Sequence, residues 1–487
     1  MSLSLSPTRT RRTVLLVFTL CLVGLLRVGA PRAQPQTSTL AITGASIVAR
    51  PGADGVSGTI VITNGTIIAI GSGATVPPGA EVIDAEGLVA YAGFLDAATP
   101  VGAGGNGRDR VSGSPTDIDQ DLTRDALAAT RSVNRKGIFP DYAVGQNLRI
   151  STEDADIWRA AGFTAIHSMP ATALLAGTSA VALLLDSADA PGTRAIVDAD
   201  TMLAAGWRAP GDDYPRSLMG SIAHLRQTFL DAQHYRTVWD IYRETDGASR
   251  RPGYDFALEA LQPVLDGALP VVFPATRLDE IDRALSLANE FELRLVIDGG
   301  EEATKATSRL QDADVPVLLR IDFPAKPRRN TPNLERLEAR ARTIGRQVTD
   351  AMVQSALGVD RDTRVTEPAG RFNERLRLWQ ERVGTPATLA TSGLSFAITT
   401  RGQHNAGQFL ANLRLAMEAG LSHDAALRAL TVGPAGILGV DRQLGSLEAG
   451  KIGNIALLDG RLGEANTRVR WVVVDGVPYE QASAETG

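Results

Sequence analysis

Cysteine is almost missing from this chain of 487 residues: the only one is Cys21, inside an apolar run near the start. Beyond that run there can be no disulfide, no thiol nucleophile and no Cys-ligated zinc. Lysine is nearly as scarce, at Lys136, Lys305, Lys326 and Lys451. Aromatic residues make up 5%, against 44% hydrophobic residues and 48 glycines, a balance that suits a loop-rich α/β protein better than a helical bundle. No basic excess exists to hold nucleic acid, since the formal charge is −6. Also missing are a G-x-S-x-G elbow and a P-loop. The stretch G-A-G-G-N-G at Gly102 to Gly107 does not stand between a strand and a helix, as a dinucleotide loop must.

The first segment has the pattern of a targeting signal. Arg9, Arg11 and Arg12 precede the apolar run Val14 to Leu26, and Pro and Ala follow up to about Ala33. At thirteen residues the run is shorter than the roughly 20 that cross a bilayer as a helix, so cleavage is preferred over an uncleaved anchor. No later segment is long enough to span. The expected location is therefore periplasmic or extracellular, by the general secretory route or, from T-R-R-T-V-L-L, the twin-arginine route. Losing residues 1–33 removes five arginines and no acids, which takes the formal charge to about −11.

β-Type patterning fills both ends. Leu40 to Ile83 contains several β-branched runs, with Asn64-Gly65 as a hairpin signal between two of them. Gly445 to Val477 repeats the style, with Gly-marked turns. Between the ends, apolar runs alternate with helical patterns, as in a parallel sheet closed as a barrel. Strands are expected at Gly93–Ala97, Thr164–Met169, Ala180–Leu185, Arg194–Asp198, Pro270–Ala275, Arg294–Asp298, Pro316–Ile321 and Thr388–Ser392, of which the third and fourth could instead form a hairpin. Helices are expected over Ser217–Glu244, Leu278–Phe291, Leu334–Ala356 and Gln403–Ala419. In the first of these, Leu218, Ile222, Leu225, Phe229 and Ala232 recur at helical spacing. Exposed connections are expected at Arg328–Pro332 and Arg361–Ala369.

The stretch Ala92 to Pro100, A-G-F-L-D-A-A-T-P, and the tail from T-V-G-P-A-G-I-L-G-V through L-G-S-L-E-A-G-K-I-G-N-I-A-L-L-D resemble the amidohydrolase superfamily, in particular its imidazolonepropionase-like branch. In the tail, Gly433 stands where Asn is usual and Asn454 where Asp is usual. The resemblance implies a TIM-like (β/α)8 barrel at residues 93–439, inserted into a composite β-sandwich built from 38–92 and 440–480. It also implies metal-dependent hydrolysis of non-peptide C–N bonds in cyclic amides, with zinc or another divalent ion.

The ligand positions that the resemblance implies have largely lost their donors. The first strand of such a barrel carries two histidines at i and i+2, which point to one face and can share a metal. Ala98 and Pro100 stand there. Pro274 takes the place of the histidine after strand five, Asp298 that of the histidine after strand six, and Gly393 that of the aspartate after strand eight. No lysine lies in an expected strand, so a bridging carbamate has no source. No bound metal is therefore expected, which leaves two functional readings. One is an exported hydrolase of the family type; the other is a non-catalytic relative that binds a small molecule, a second copy of itself or an active family member.

Of the five histidines, His224 and His234 lie ten residues apart on one helix, about 1000° of rotation, and share no face. His423 follows Ser422, which stands at an expected N-cap position. His167 and His404, at the ends of strands two and eight, could point into the barrel mouth with Asp96 and Asp298, and two imidazoles with a carboxylate are enough for a catalytic zinc. Alternatively, each histidine satisfies local hydrogen bonds. Asp96, if buried, needs an Arg or backbone N–H partner, and Arg320 and Asp322 in L-L-R-I-D-F-P lie on one face as candidates for an internal ion pair.

Overall fold

Asn64 and Gly65 form the hairpin turn that their sequence calls for. Both take positive φ, 49° and 79°, in the computed structural model, which describes residues 38–104, 136–186, 195–209, 215–246, 248, 250–328 and 368–481. The turn folds strand β2 (Val56–Thr63) antiparallel to β3 (Thr66–Gly71), while β1 (Thr39–Val48) pairs with β2. β1 also takes two parallel partners in succession. β4 (Glu81–Asp84) pairs along Leu40 to Thr43 and β5 (Val89–Ala92) along Ser46 to Val48, with the register shift of β1 lying between Ile42 and Ala45. The shift lets one strand serve two neighbours, as a bulge does by bending its strand.

Gly93 leads out of this sheet. A Cβ there would come within 2.2 Å of the Thr164 side chain, so the close approach of β6 (Phe94–Thr99) to β7 (Phe163–Ser168), its parallel neighbour, depends on glycine. The chain continues through β8 (Leu175–Thr178), β9 (Ala180–Leu183), β10 (Ile196–Asp198), β11 (Leu203–Ala205), β12 (Val271–Ala275), β13 (Leu295–Gly299), β14 (Val317–Arg320) and β15 (Phe396–Thr399). These strands make two open sheets, one of order β10-β9-β7-β6 and one of order β15-β14-β13-β12-β11-β8. Pairing is parallel from β11 to β15 and between β6 and β7, and antiparallel for β8, β9 and β10 with their neighbours.

The expected eight parallel strands therefore need correction at three places. Ala180–Leu185 and Arg194–Asp198 contribute an antiparallel pair, β9 with β10, which is the hairpin alternative left open in the sequence. β8 and β11 are additional short strands. Thr388–Ser392 is not a strand: it is the last part of a helix, Ala369–Ser392, which contains Pro386 and ends at Gly393 in the left-handed region, φ 77°. The eighth position in the series belongs to β15. No backbone ladder joins β15 to β6, although the two lie side by side.

The helices obey local rules. Helix α1 (Thr152–Arg159) is capped by the Ser151 hydroxyl, which accepts from Asp154 N–H at 3.0 Å. α2 (Leu218–Glu244) starts at Ser217 and buries Leu225, Phe229, Ala232 and Tyr235, whereas Leu218 is exposed at its first turn. α3 (Leu278–Phe291) has a Glu280 carboxylate that accepts from Thr276 N–H and Arg277 N–H, and it turns Ile281, Ala284, Leu287, Ala288 and Phe291 inward. α4 is the long helix Ala369–Ser392 and α5 spans Ala406–Glu418. Among the described residues, no helix is long and apolar enough to cross a membrane. The segment 1–33, the helix expected over Leu334–Ala356 and most of Gly102–Gly113, Arg328–Pro332 and Arg361–Ala369 lie outside the described residues.

The C-terminal strands β16 (Ile455–Leu458), β17 (Val469–Val474) and β18 (Val477–Glu480) return to the first sheet. β16 pairs antiparallel with β5, so both chain ends share one eight-stranded sheet in which β1 is the branch point. The hydrogen-bonded network of these eight strands is one connected sheet. It has its own apolar core, with Leu40, Ile42, Ile60, Ile62, Ile67 and Leu457 among its members.

Candidate functional site

The carboxyl ends of β12, β13 and β14 and the turns after β7 and β15 meet around a cavity of about 80 Å³. Its apolar wall includes Met169, Pro170, Ala176, Ala204 and Val272. Its charged wall is made of Asp298, Arg320 and Arg401. Asp298 ends β13 and Arg320 ends β14, which are adjacent parallel strands, so their side chains emerge at the same edge. Arg320 donates from Nε to Asp298 Oδ1 at 3.3 Å and from Nη2 to Oδ2 at 3.1 Å, a fork-on-carboxylate arrangement. Arg401, in the turn after β15, donates from Nη1 to the same Oδ2. One almost fully buried carboxylate thus holds two guanidinium groups, each with a side chain 23% exposed.

Pro274 also lines this cavity. A proline costs a ladder hydrogen bond in the middle of a sheet. Here β11 pairs with β12 only as far as Val272, so at Pro274 the strand has β13 alone as neighbour and the missing N–H is harmless. Its carbonyl accepts from the indole N–H of Trp207 at 2.8 Å, and that indole stacks on Phe273 with centroids 4.6 Å apart.

Asp96 lies deeper, fully buried in β6. Its Oδ1 accepts from Thr400 N–H at 3.0 Å and from Ala98 N–H at 3.2 Å, and its Oδ2 accepts from the Thr400 hydroxyl. A side chain therefore links β6 to the turn after β15, where the backbones do not pair. Burial pushes the Asp96 carboxyl up to about 7, against the opposing pull of these three donors and of the nearby Arg401. The partner expected for Asp96 was an arginine or a backbone N–H, and it is the latter. Arg320 pairs with Asp298, while Asp322 is held by Arg382, which also pairs with Glu301 at 2.7 Å.

His167 is fully buried in β7, with Nδ1 2.7 Å from the Ala97 carbonyl and Nε2 2.6 Å from the Ser179 hydroxyl. A carbonyl can only accept, so Nδ1 carries the proton and Nε2 accepts from Ser179. Burial draws the imidazole down to about 4, which keeps it in this neutral form at pH 7. Both nitrogens are thus engaged. His404 is elsewhere: it is exposed in the turn before α5, where its backbone N–H donates to Gln408 Oε1 at 3.2 Å. The structure therefore brings Asp298 to the cavity, sets Asp96 and His167 beneath it in separate hydrogen-bond networks, and leaves His404 outside. His423 follows the Ser422 cap as expected, and its Nε2 lies 3.3 Å from the Tyr91 hydroxyl.

Sequence reading singled out Asp298 and Arg320 but missed Arg401, Thr400 and Ser179. The signal for the first two was the short run F-A-I-T, whose end they follow. It was hidden when the strand was placed at Thr388–Ser392.

Comparison with known proteins agrees with the resemblance seen in the sequence. Residues 373–479 match the model of the amidohydrolase family. The fold is similar to that of an amidohydrolase from Thermotoga maritima MSB8, with a TM-score of 0.65 and 20% identity over 91% of this chain and all of that one. A Xaa-Pro dipeptidase and molinate hydrolase align over the same 91%, at 15% and 14% identity, covering 100% and 95% of their own chains with TM-scores of 0.46 and 0.47. No curated protein matches the sequence. Residues 373–479 thus match the amidohydrolase superfamily, and the likeness to the Thermotoga structure is one of fold.

That superfamily implies a divalent metal, and the residues at the mouth do not fit one. Ala98, Pro100 and Pro274 carry no donor in their side chains, and Gly393 is a helix cap that precedes β15 and does not follow a strand. The Ser179 hydroxyl stands where an ion on His167 Nε2 would have to sit. Asp298 is the remaining ligand position with a donor, and two guanidinium charges already occupy its oxygens. Among the described residues, no group of three or more His, Cys, Asp or Glu could hold a metal ion.

Proposed function

We propose that this protein is an exported amidohydrolase relative whose barrel mouth binds a small molecule directly, without a metal ion. The observation that carries the proposal is the Asp298–Arg320–Arg401 cluster at the carboxyl ends of the strands, the edge where a barrel protein keeps its ligand. Two positive charges against one carboxylate repel a divalent cation and attract other ligands. In this reading the two open sheets act together as the (β/α)8 barrel of residues 93–439, set into a β domain of 38–92 and 440–480, and the Asp96–Thr400 link supports closure at one seam. Export rests on the arginines and apolar run of residues 9–26. A second copy or an active relative is the expected protein partner.

The family match favours a second reading, metal-dependent hydrolysis of a C–N bond in a cyclic amide. Metal content separates the two. Protein dialysed against zinc or manganese and then against buffer is expected to retain well under one equivalent by mass spectrometry of the elements. One equivalent retained, and released when His167 or His404 is changed to Ala, would establish the hydrolytic site instead. Thermal shift with cyclic ureides, lactams and cyclic dipeptides then surveys the ligand. If none of them shifts the melting temperature, a protein partner takes the place of a small molecule.

A further inference from the structure

We infer that the mouth recognises a small carboxylate through Arg320 and Arg401, an inference that rests on the direct-binding reading above. Each guanidinium has five N–H donors. Arg320 commits two to Asp298 and Arg401 commits one, and neither has another side-chain partner among the described residues. Donors in fixed planes are therefore left over beside a cavity that both groups line. Asp298 holds the two planes in place while cancelling only one of their charges, so the lining carries a net single positive charge. Glu301 and Asp322 lie close enough to act on Arg320, but neither lines the cavity and Arg382 pairs with both.

Geometry and size narrow the ligand further. A planar pair of oxygens matches the guanidinium fork better than a spherical anion does. The rest of the lining includes Met169, Pro170, Ala176, Ala204, Ala205 and Val272, with the hydroxyl residue Thr172 among them, and suits a short, mainly aliphatic body. At about 80 Å³ the cavity is small and suits a compact group. The cavity thus fits a compact aliphatic acid of propionate size, or the acid end of a longer molecule.

The test is calorimetric titration of the purified, metal-free protein with propionate, its neutral isostere propionamide, and inorganic phosphate at low ionic strength. Propionate is expected to saturate one site, and propionamide to bind at least about tenfold more weakly, the scale of a lost hydrogen bond to a charged group. Arg401→Gln is expected to weaken propionate by a similar factor and leave propionamide unchanged. Arg401→Lys, which keeps the charge but not the fork, falls between. Arg401 lies in a turn, so these variants are expected to fold, and circular dichroism checks that they do. Equal binding of propionate and propionamide, or binding indifferent to Arg401→Gln, overturns the carboxylate inference while leaving direct binding intact. Saturation by phosphate alone overturns the choice of carboxylate. Stoichiometric zinc in the same sample overturns the direct-binding reading itself.

Discussion

Asp96→Asn is expected to give a protein whose stability climbs by about 3 kcal/mol between pH 4 and 6.5, where the unaltered chain is nearly level in this contribution. The cause is a cancellation between two buried groups. Asp96 is raised from 3.8 to about 7, so below its ordinary value it is protonated in both folded and unfolded chains. As the pH rises from 4 to 7 the unfolded chain ionises first, and the stability that the protonated carboxyl contributes is lost through the folded value. His167 is lowered from 6.5 to about 4 and works in the opposite direction. Its contribution is full above 6.5 and is lost as the pH falls through 4, because the unfolded chain takes the proton that the folded chain refuses. Over pH 4 to 6.5 the two slopes oppose each other, each at most about 1.4 kcal/mol per pH unit.

Asparagine at 96 copies the protonated carboxyl. Its amide oxygen accepts from Thr400 and Ala98 N–H, and its NH2 can donate to the Thr400 hydroxyl. The substitution therefore removes one slope and uncovers the other. His167→Asn uncovers the opposite slope, a loss of about 3 kcal/mol between pH 4 and 7 on top of any constant cost, and the double variant returns to a level profile. Urea midpoints measured at half-unit pH intervals read the sign directly. Parallel profiles for the unaltered chain and both single variants would show that neither group is titrating as its burial requires.

Arg159→Met is expected to cost about 3–5 kcal/mol, the range for removing one partner from a buried ion pair. Arg159 is fully buried at the end of α1. It donates to the Leu184 carbonyl at 3.0 Å, to Asp156 at 2.6 Å and to Asp186 at 2.8 Å, and its guanidinium lies 3.8 Å from the centre of the Tyr479 ring in β18. The Tyr479 hydroxyl in turn accepts from Asp186 N–H at 3.2 Å. One side chain thus ties the last strand of the terminal sheet to the segment after β9. Methionine fills much of the volume but leaves the Leu184 carbonyl and Asp186 without their donors. Asp186 and Asp156 retain partial access to water, which places the expected cost toward the lower end. Arg159→Lys keeps the charge without the three-way fork and should recover part of it. A melting temperature unchanged in Arg159→Met would show that the terminal sheet does not depend on this anchor.

The fold was legible where local chemistry and tertiary context agree. Asn64-Gly65 fixes its hairpin, Ser217 and Ser422 cap the helices they precede, and the apolar stripe of Leu278–Phe291 defines that helix to the residue. It failed at Thr388–Ser392, which is the end of a helix that contains Pro386. The helix tolerates that proline because it is already long, running from Ala369, and because the ring is buried against its neighbours. The true strand, β15, has only four residues, too short a run for periodicity to single out. Everything downstream of that error was hidden too. Thr400 meets Asp96 across 304 positions of sequence, and Arg401 meets Asp298 across 103. Such pairings belong to topology, which no local pattern encodes. The absence of side-chain donors at Ala98, Pro100 and Pro274 needs no fold to be seen, whereas the choice of Gly393 depended on the misplaced strand.

Diffraction from crystals soaked in zinc, recorded on both sides of the zinc absorption edge, tests the replacement of a metal centre by the Asp298–Arg320–Arg401 cluster most directly. No anomalous peak is expected within coordination distance of Asp298 or His167, with both guanidinium groups still seated on the carboxylate. A peak bonded to Asp298 or to Nε2 of His167, with Arg320 and Arg401 swung aside, would contradict it.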